Sequence, residues 1–200
     1  MNDAHELQEL VVETARPEHL PGIVRVYEAV CLAHSELAAA HGNKGFLLRG
    51  YPLLASEFLE VLSDFVLCAR EGDEVLGFLL AYENRVFWRL YNQGLIYPGS
   101  ALGDFFSELG GDFLFGHRIA VSPSARRRDI ASRLVMALRA RMAQSPHRAM
   151  HICILHGPVR NAASITFSTR LGFELVTERE QPNGQLWGIY RLLLCQKSPP

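Results

Sequence analysis

The residues Arg126-Arg127-Arg128-Asp129-Ile130-Ala131 lie between an apolar run ending Ile119-Ala120-Val121 and an amphipathic stretch that continues past Ser132. That order predicts a strand, a tight basic turn and a helix start. A turn at a helix N-terminus aims several backbone N–H groups at one point, and the helix adds partial positive charge there. The chemistry it suits is anion binding, phosphate above all. The arginines add attraction for phosphate, and Ala131 leaves room for close approach to the backbone. A second constellation is Asn161, Ser164, Phe167, Ser168 and Arg170, followed by Leu171-Gly172-Phe173. Asn161 suits a helix cap, and Gly172 the position just past a helix end.

The elements that must hold these residues follow from periodicity and punctuation. Leu10 to Thr14 reads as a strand. Arg16-Pro17-Glu18 opens a helix through about Leu32, with Ile23, Val26, Tyr27 and Val30 at helical spacing. Gly42 to Gly50 reads as a loop, and Pro52 to about Leu62 as a helix carrying Leu54, Phe58 and Val61 on one face. Asp64 to Arg70 and Val75 to Tyr82 form a hairpin across Glu71-Gly72-Asp73. Phe113 to Val121 is a strand. Arg126 to Ala143 is a helix striped by Ile130, Leu134, Met136, Leu138 and Met142. Ala149 to Leu155 is a strand and Asn161 to Leu171 a short helix. Phe173 to Arg179 and Leu186 to Leu194 are strands joined through Gln181-Pro182-Asn183-Gly184. The whole predicts one α/β (α+β) domain over residues 1–200, with about seven strands in a mixed sheet and helices on both faces. Residues 84–111 interrupt the pattern with Phe87, Trp88, Tyr91, Tyr97, Phe105 and Phe106, an insertion expected to be functional or partly helical.

Composition narrows the function. Hydrophobic residues make up 48%, enough for a core, and the net charge is −1, which argues against a nucleic-acid or polyanion binder. The basic residues Arg126, Arg127, Arg128, Arg133, Arg139 and Arg141 are a local cluster. Cys31, Cys68, Cys153 and Cys195 form no CxxC pair and read as buried thiols in a reducing compartment. His147, His151 and His156 lack metal-site spacing, so no metal is expected. The first ten residues lack a signal-peptide pattern and no apolar run is long enough to span a bilayer. The expectation is a cytoplasmic protein with no membrane partner.

Topology and both motifs resemble the GNAT superfamily of acetyl-CoA-dependent N-acetyltransferases. The resemblance covers roughly Leu10 to Cys195 and is most specific from Ile119 to Phe173. It implies a mostly antiparallel, twisted sheet. The family's turn motif, Arg/Gln-x-x-Gly-x-Gly/Ala, reads here Arg126-Arg127-Arg128-Asp129-Ile130-Ala131. Its backbone, with Ser132, would hold the coenzyme A pyrophosphate, and Ile119-Ala120-Val121 the pantetheine arm. Asp129 departs from the usual Gly; Asp adopts unusual backbone angles more readily than most residues, and its side chain is expected to pair with Arg127 or Arg128. The family's Asn-x-x-Ala-x-x-Phe-Tyr pattern reads Asn161, Ser164, Phe167 and Ser168, which implies that Asn161, Ser164 and Phe167 contact the cofactor. Ser168 stands where the family often has a tyrosine that protonates the departing thiolate.

The resemblance also implies a general base five residues before the motif Asn, at His156. Imidazole titrates near neutral pH and suits that task. His117 is the second candidate, placed by alternation on the face of Ile119 and Val121. The alternative for each is a hydrogen-bonded structural histidine. The implied activity is N-acetylation of a primary amine by direct attack, with the backbone N–H near Val121 stabilising the oxyanion. The acceptor, a small molecule or a peptide, would sit among helices 18–32 and 52–62, the aromatic insertion and the last hairpin, whose apolar residues would permit a homodimer. The rival reading is a catalytically weak or inactive GNAT-like domain that binds coenzyme A as a sensor or structural ligand, and Asp129 and Ser168 sustain it. A flavin or nucleotide protein would want a Gly-rich loop after the first strand, where this chain has Ala15-Arg16-Pro17.

Overall fold

The computed structural model describes residues 9–32, 45–48, 61–63, 65–96 and 101–193. Nearly all of the expected helix 52–62, most of the loop 42–50, and Asp64, Tyr97, Leu194 and Cys195 lie outside the described residues. Seven strands form one sheet: β1 (Val11–Thr14), β4 (Val66–Glu71), β5 (Glu74–Glu83), β6 (Leu114–Val121), β7 (Ala149–Gly157), β8 (Glu174–Glu180) and β9 (Leu186–Leu193). Their order is β1-β4-β5-β6-β7-β9-β8, and β2 (Cys31–Leu32) and β3 (Leu47–Leu48) form a small parallel pair apart from it. Every neighbouring pair in the main sheet is antiparallel except β6 and β7.

Five α-helices are described: α1 (Leu20–Val30), α2 (Asn84–Asn92), α3 (Ala101–Leu109), α4 (Ile130–Met142) and α5 (Ala162–Arg170). Strand β5 is buried on both faces, which is why it reads as a nearly unbroken apolar run. Alternation sends Phe78, Leu80 and Tyr82 to a core with Ile23 of α1, Phe87 of α2 and Phe106 of α3. Leu79 and Ala81 go to the opposite core with Ile130, Leu134, Leu138 and Met142 of α4. Among the described residues no helix is long and apolar enough to cross a membrane.

The aromatic insertion is two helices. Phe87 and Phe106 are fully buried and pack on Phe113 and Phe115, so these rings close the sheet's end. In α4 the expected stripe is corrected at one position: Met136 is 56% exposed and Val135 is buried in its place. The helix also begins later than expected, at Ile130, because Arg127 and Asp129 take left-handed backbone angles that no α-helix tolerates.

Two bulges shape the centre of the sheet. Opposite β5, Leu80 faces Arg118 and Ala81 faces Gly116, leaving His117 as the extra residue of β6. Opposite β9, Leu155 faces Trp187 and Gly157 faces Leu186, leaving His156 as the extra residue of β7. The first bulge overturns one expectation. His117 does not share a face with Ile119 and Val121: its ring lies with Tyr82 and Phe115, whereas Ile119 and Val121 pack in the α4 core. An extra residue reverses the alternation on one side of itself.

Candidate active site

The parallel pairing of β6 with β7 spans only Leu114–Met150, Phe115–His151 and Gly116–Ile152. Beyond Gly116 the strands part. The Ser122 N–H donates to the Leu76 carbonyl at 2.7 Å, so the even residues of this part of β6 bond to β5. Alternation then turns the N–H groups of Ile119 and Val121 into the gap. Strand edges opened in this way are donors and acceptors for an extended ligand.

Two adjoining cavities occupy the gap. One, of about 440 Å³, runs past the turn before α4 and is lined by Ile119, Ala120, Val121, Arg126, Arg127, Asp129, Ile130, Ala131 and Ser132. The other, of about 420 Å³, lies at the parting of the strands and includes His117, Arg118, Cys153, Asn161 and Ser168. Phe46, Leu47, Ile119, Ser164 and Phe167 line both, so the two form one trough.

At the turn, φ is 66° at Arg127 and 59° at Asp129. Left-handed residues placed beside right-handed or extended ones make a concave array of N–H groups, a nest for an anion. Asp129 tolerates the angle because its short polar side chain is among those that visit this region. Arg128 departs from the expected pairing. Its guanidinium is bound through both terminal nitrogens to the Glu71 carboxylate, on the β4–β5 hairpin.

Asn161 caps α5. Its Oδ1 accepts from the Ser164 N–H at 3.3 Å, and its buried Nδ2 donates to the Phe46 carbonyl at 2.9 Å. One side chain thus orders the helix start and fastens the 45–48 segment over the trough. Ser168, on the same helix, is buried and faces the cavity at the strand parting.

The two candidate bases are placed differently. His117 lines the cavity beside the strand edge. Burial first, and the Arg118 guanidinium second, hold its pKa well below the usual histidine value, so the imidazole is neutral. His156 lines neither cavity. Its Nδ1 is hydrogen-bonded to the Glu178 carboxylate at 2.5 Å, and its Nε2 to the Tyr190 hydroxyl at 2.9 Å. Both ring nitrogens are engaged within the β7–β9–β8 sheet.

Several wall residues were not visible as site residues in the sequence. Arg118 is 8% exposed and its guanidinium lies 4.7 Å from the Tyr27 ring centre. The signal was a lone cation inside an apolar strand. Gln181, Gln185 and Trp187 come from the β8–β9 hairpin, and Cys153 contributes a thiol whose pKa is raised by burial. Away from the trough, Glu13, His19 and Cys68 converge within 4.8 Å. Arg70 and Arg16 both pair with Glu13 there, which supplies cations to its carboxylate.

No curated protein sequence matches the chain. Solved structures share its fold. Ard1 from Thermoplasma volcanium has a TM-score of 0.62 at 12% identity, covering 93% of this chain and 98% of its own. The polyamine N-acetyltransferase of Drosophila melanogaster, an enzyme that forms N-acetylagmatine, has a TM-score of 0.62 at 14% identity, covering 93% and 100%. The ribosomal-protein-S18-alanine N-acetyltransferase of Escherichia coli has a TM-score of 0.60 at 12% identity, covering 96% and 99%. Residues 33–173 match the model of the Acetyltransferase (GNAT) family, and by that match over most of its length the chain belongs to the GNAT acetyltransferases.

Proposed function

We propose that the protein moves an acetyl group from acetyl-CoA to a primary amine by direct attack in a ternary complex. The observation that carries this reading is the single trough running from the left-handed turn at Arg127 and Asp129 to His117 at the strand parting. The turn's N–H array suits a pyrophosphate, and the open edge of Ile119 to Val121 suits an amide-bearing arm. Acetyl-CoA supplies the activated acyl group. The N–H of Val121, with that of Ile119, donates to the carbonyl oxygen as charge develops on it. His117, neutral and at the cavity wall, takes the proton from the amine. Ser168 is the candidate donor to the departing sulfur. His156 acts at one remove, fixing β7 against β8 and β9 through Glu178 and Tyr190.

The acceptor is a small-molecule or peptide amine, and no metal takes part. The proposed setting is the cytoplasm, without a nucleic-acid or membrane partner. Leu175, Val176 and Leu193, exposed on β8 and β9, offer a surface for a homodimer.

The second reading, a domain that binds coenzyme A without turnover, is favoured by the carboxylate of Asp129 in the phosphate turn. Thiol release from acetyl-CoA across a panel of amines tests both. Amine-dependent release that His117→Gln abolishes supports transfer. Coenzyme A binding with no release for any amine rejects transfer and leaves the binding domain.

A further inference from the structure

We infer that Asn161 is a positioning residue: it sets coenzyme A affinity by holding the 45–48 segment against the cofactor's arm, not by touching the cofactor. The inference rests on the reading of the trough as a coenzyme A site and adds how the arm is gripped. A ligand with its phosphates at the left-handed turn and its sulfur near His117 must cross from one cavity to the other. The residues that line both cavities form the neck it crosses. They are Ile119 of β6, Ser164 and Phe167 of α5, and Phe46 and Leu47 of the 45–48 segment. The first three belong to the sheet and a helix. The last two belong to a short segment whose attachments can be named.

Leu47 and Leu48 pair with Cys31 and Leu32, just past the end of α1. Toward α5 the attachment is the Asn161 side chain, which is 5% exposed. Its Nδ2 donates to the Phe46 carbonyl at 2.9 Å while its Oδ1 accepts from the Ser164 N–H at 3.3 Å. Both polar atoms are thus engaged within the chain. The resemblance assigns Asn161 a cofactor contact; these bonds assign it the wall instead. Gly45 supports the same contact from the other side. Its φ is 69°, and a Cβ there would lie 3.5 Å from the Cβ of Ala163 on α5. A side chain at Gly45 would strain that backbone and with it the seat of the segment on α5. A hydrogen bond of this kind is worth roughly 2–12-fold in an equilibrium constant. Without it, ligand binding must itself restore the wall, and affinity falls by the fraction of molecules in which the wall is set. A ligand that occupies only the turn does not cross the neck and escapes that loss.

The test uses the full chain and calorimetric binding of two probes, coenzyme A and its armless fragment adenosine 3′-phosphate 5′-diphosphate. Asn161→Ser keeps a capping oxygen for α5, but its shorter side chain loses the reach to Phe46. Gly45→Ala leaves Asn161 in place and strains the segment. Each variant should weaken coenzyme A about fivefold and leave the fragment within twofold of the parent. Unchanged fragment binding also reports that the turn and α5 remain folded. Equal weakening of both probes by Asn161→Ser reduces Asn161 to a helix cap and overturns the inference. Selective weakening by Asn161→Ser with none by Gly45→Ala means direct contact of Asn161 with the arm, and overturns it too. Should Asn161→Ser fail to fold, Gly45→Ala decides alone: selective weakening supports the clamp and unchanged binding rejects it. A parent protein that binds coenzyme A no tighter than the fragment rejects the grip on the arm while the cofactor site stands. A parent that binds neither probe rejects the coenzyme A reading, and the inference with it.

Discussion

The Nε2 of His156 and the Tyr190 hydroxyl are hydrogen-bonded at 2.9 Å, between the neighbouring strands β7 and β9. Gly188 lies beneath the ring, and a Cβ at that position would overlap the imidazole. Gly188→Ala therefore forces the ring off Tyr190 and Glu178. Overpacking of this kind costs ~1–3 kcal/mol. Chemical denaturation of the variant should show a loss in that range, and an unchanged midpoint would mean that the ring does not occupy this space.

The two histidines should separate in kinetics. His117→Gln removes the proposed base at the cavity wall and should lower kcat by roughly 10²–10⁴-fold, with little change in the KM for acetyl-CoA. His156→Gln should change kcat by only a few-fold, because His156 lines neither cavity and both ring nitrogens are engaged elsewhere. Steady-state thiol release decides between them. The reverse ranking would return the base to His156 and make His117 a buried structural residue.

Asp129 combines a demand on the backbone with a charge near the anion nest, and two substitutions separate these. Asp129→Asn keeps a side chain tolerant of φ 59° and removes the charge. It should tighten coenzyme A binding several-fold by calorimetry. Asp129→Ala loses the tolerance as well, at a cost of about 1–2 kcal/mol in stability. If the Asn variant binds no more tightly, the carboxylate does not face the phosphates.

The turn and the capped helix were legible in sequence because both are local. Residues 126–132 and 161–172 carry their instructions within a few positions, as tolerance of left-handed angles, a cap and a terminal glycine. The bulges at His117 and His156 were not legible. Each is a mismatch in count between two strands far apart in the chain, and neither residue type announces it. That is why His117 was expected on the wrong face. Val135 and Met136 flank the same helical stripe, and only the sheet beneath α4 decides which is covered. Phe87 with Leu90, and Leu102 with Phe106, did carry helical spacing inside the insertion, but the surrounding aromatics obscured it. Arg118 was visible only as a charge interrupting an apolar strand.

His151 gives the fold a pH dependence of its own. It is 2% exposed among Phe105, Phe106 and Phe113, and neither ring nitrogen has a hydrogen-bond partner among the described residues. Burial first, then the Arg191 charge, lower its pKa to about 4 from an ordinary 6.5. The unfolded chain thus binds a proton that the folded chain refuses. The stability this provides is complete above pH 6.5 and is lost as the pH falls toward about 4. At ~1.4 kcal/mol per pKa unit the loss is roughly 3 kcal/mol. His151→Phe would fill the site with a ring of similar shape that cannot be protonated. Denaturation measured between pH 7 and pH 4.5 should show a shallower slope for this variant and a gain in stability near pH 5. The slope should not vanish, because His117 is also held neutral by burial. A variant that loses stability along the same slope as the parent would remove His151 as the source.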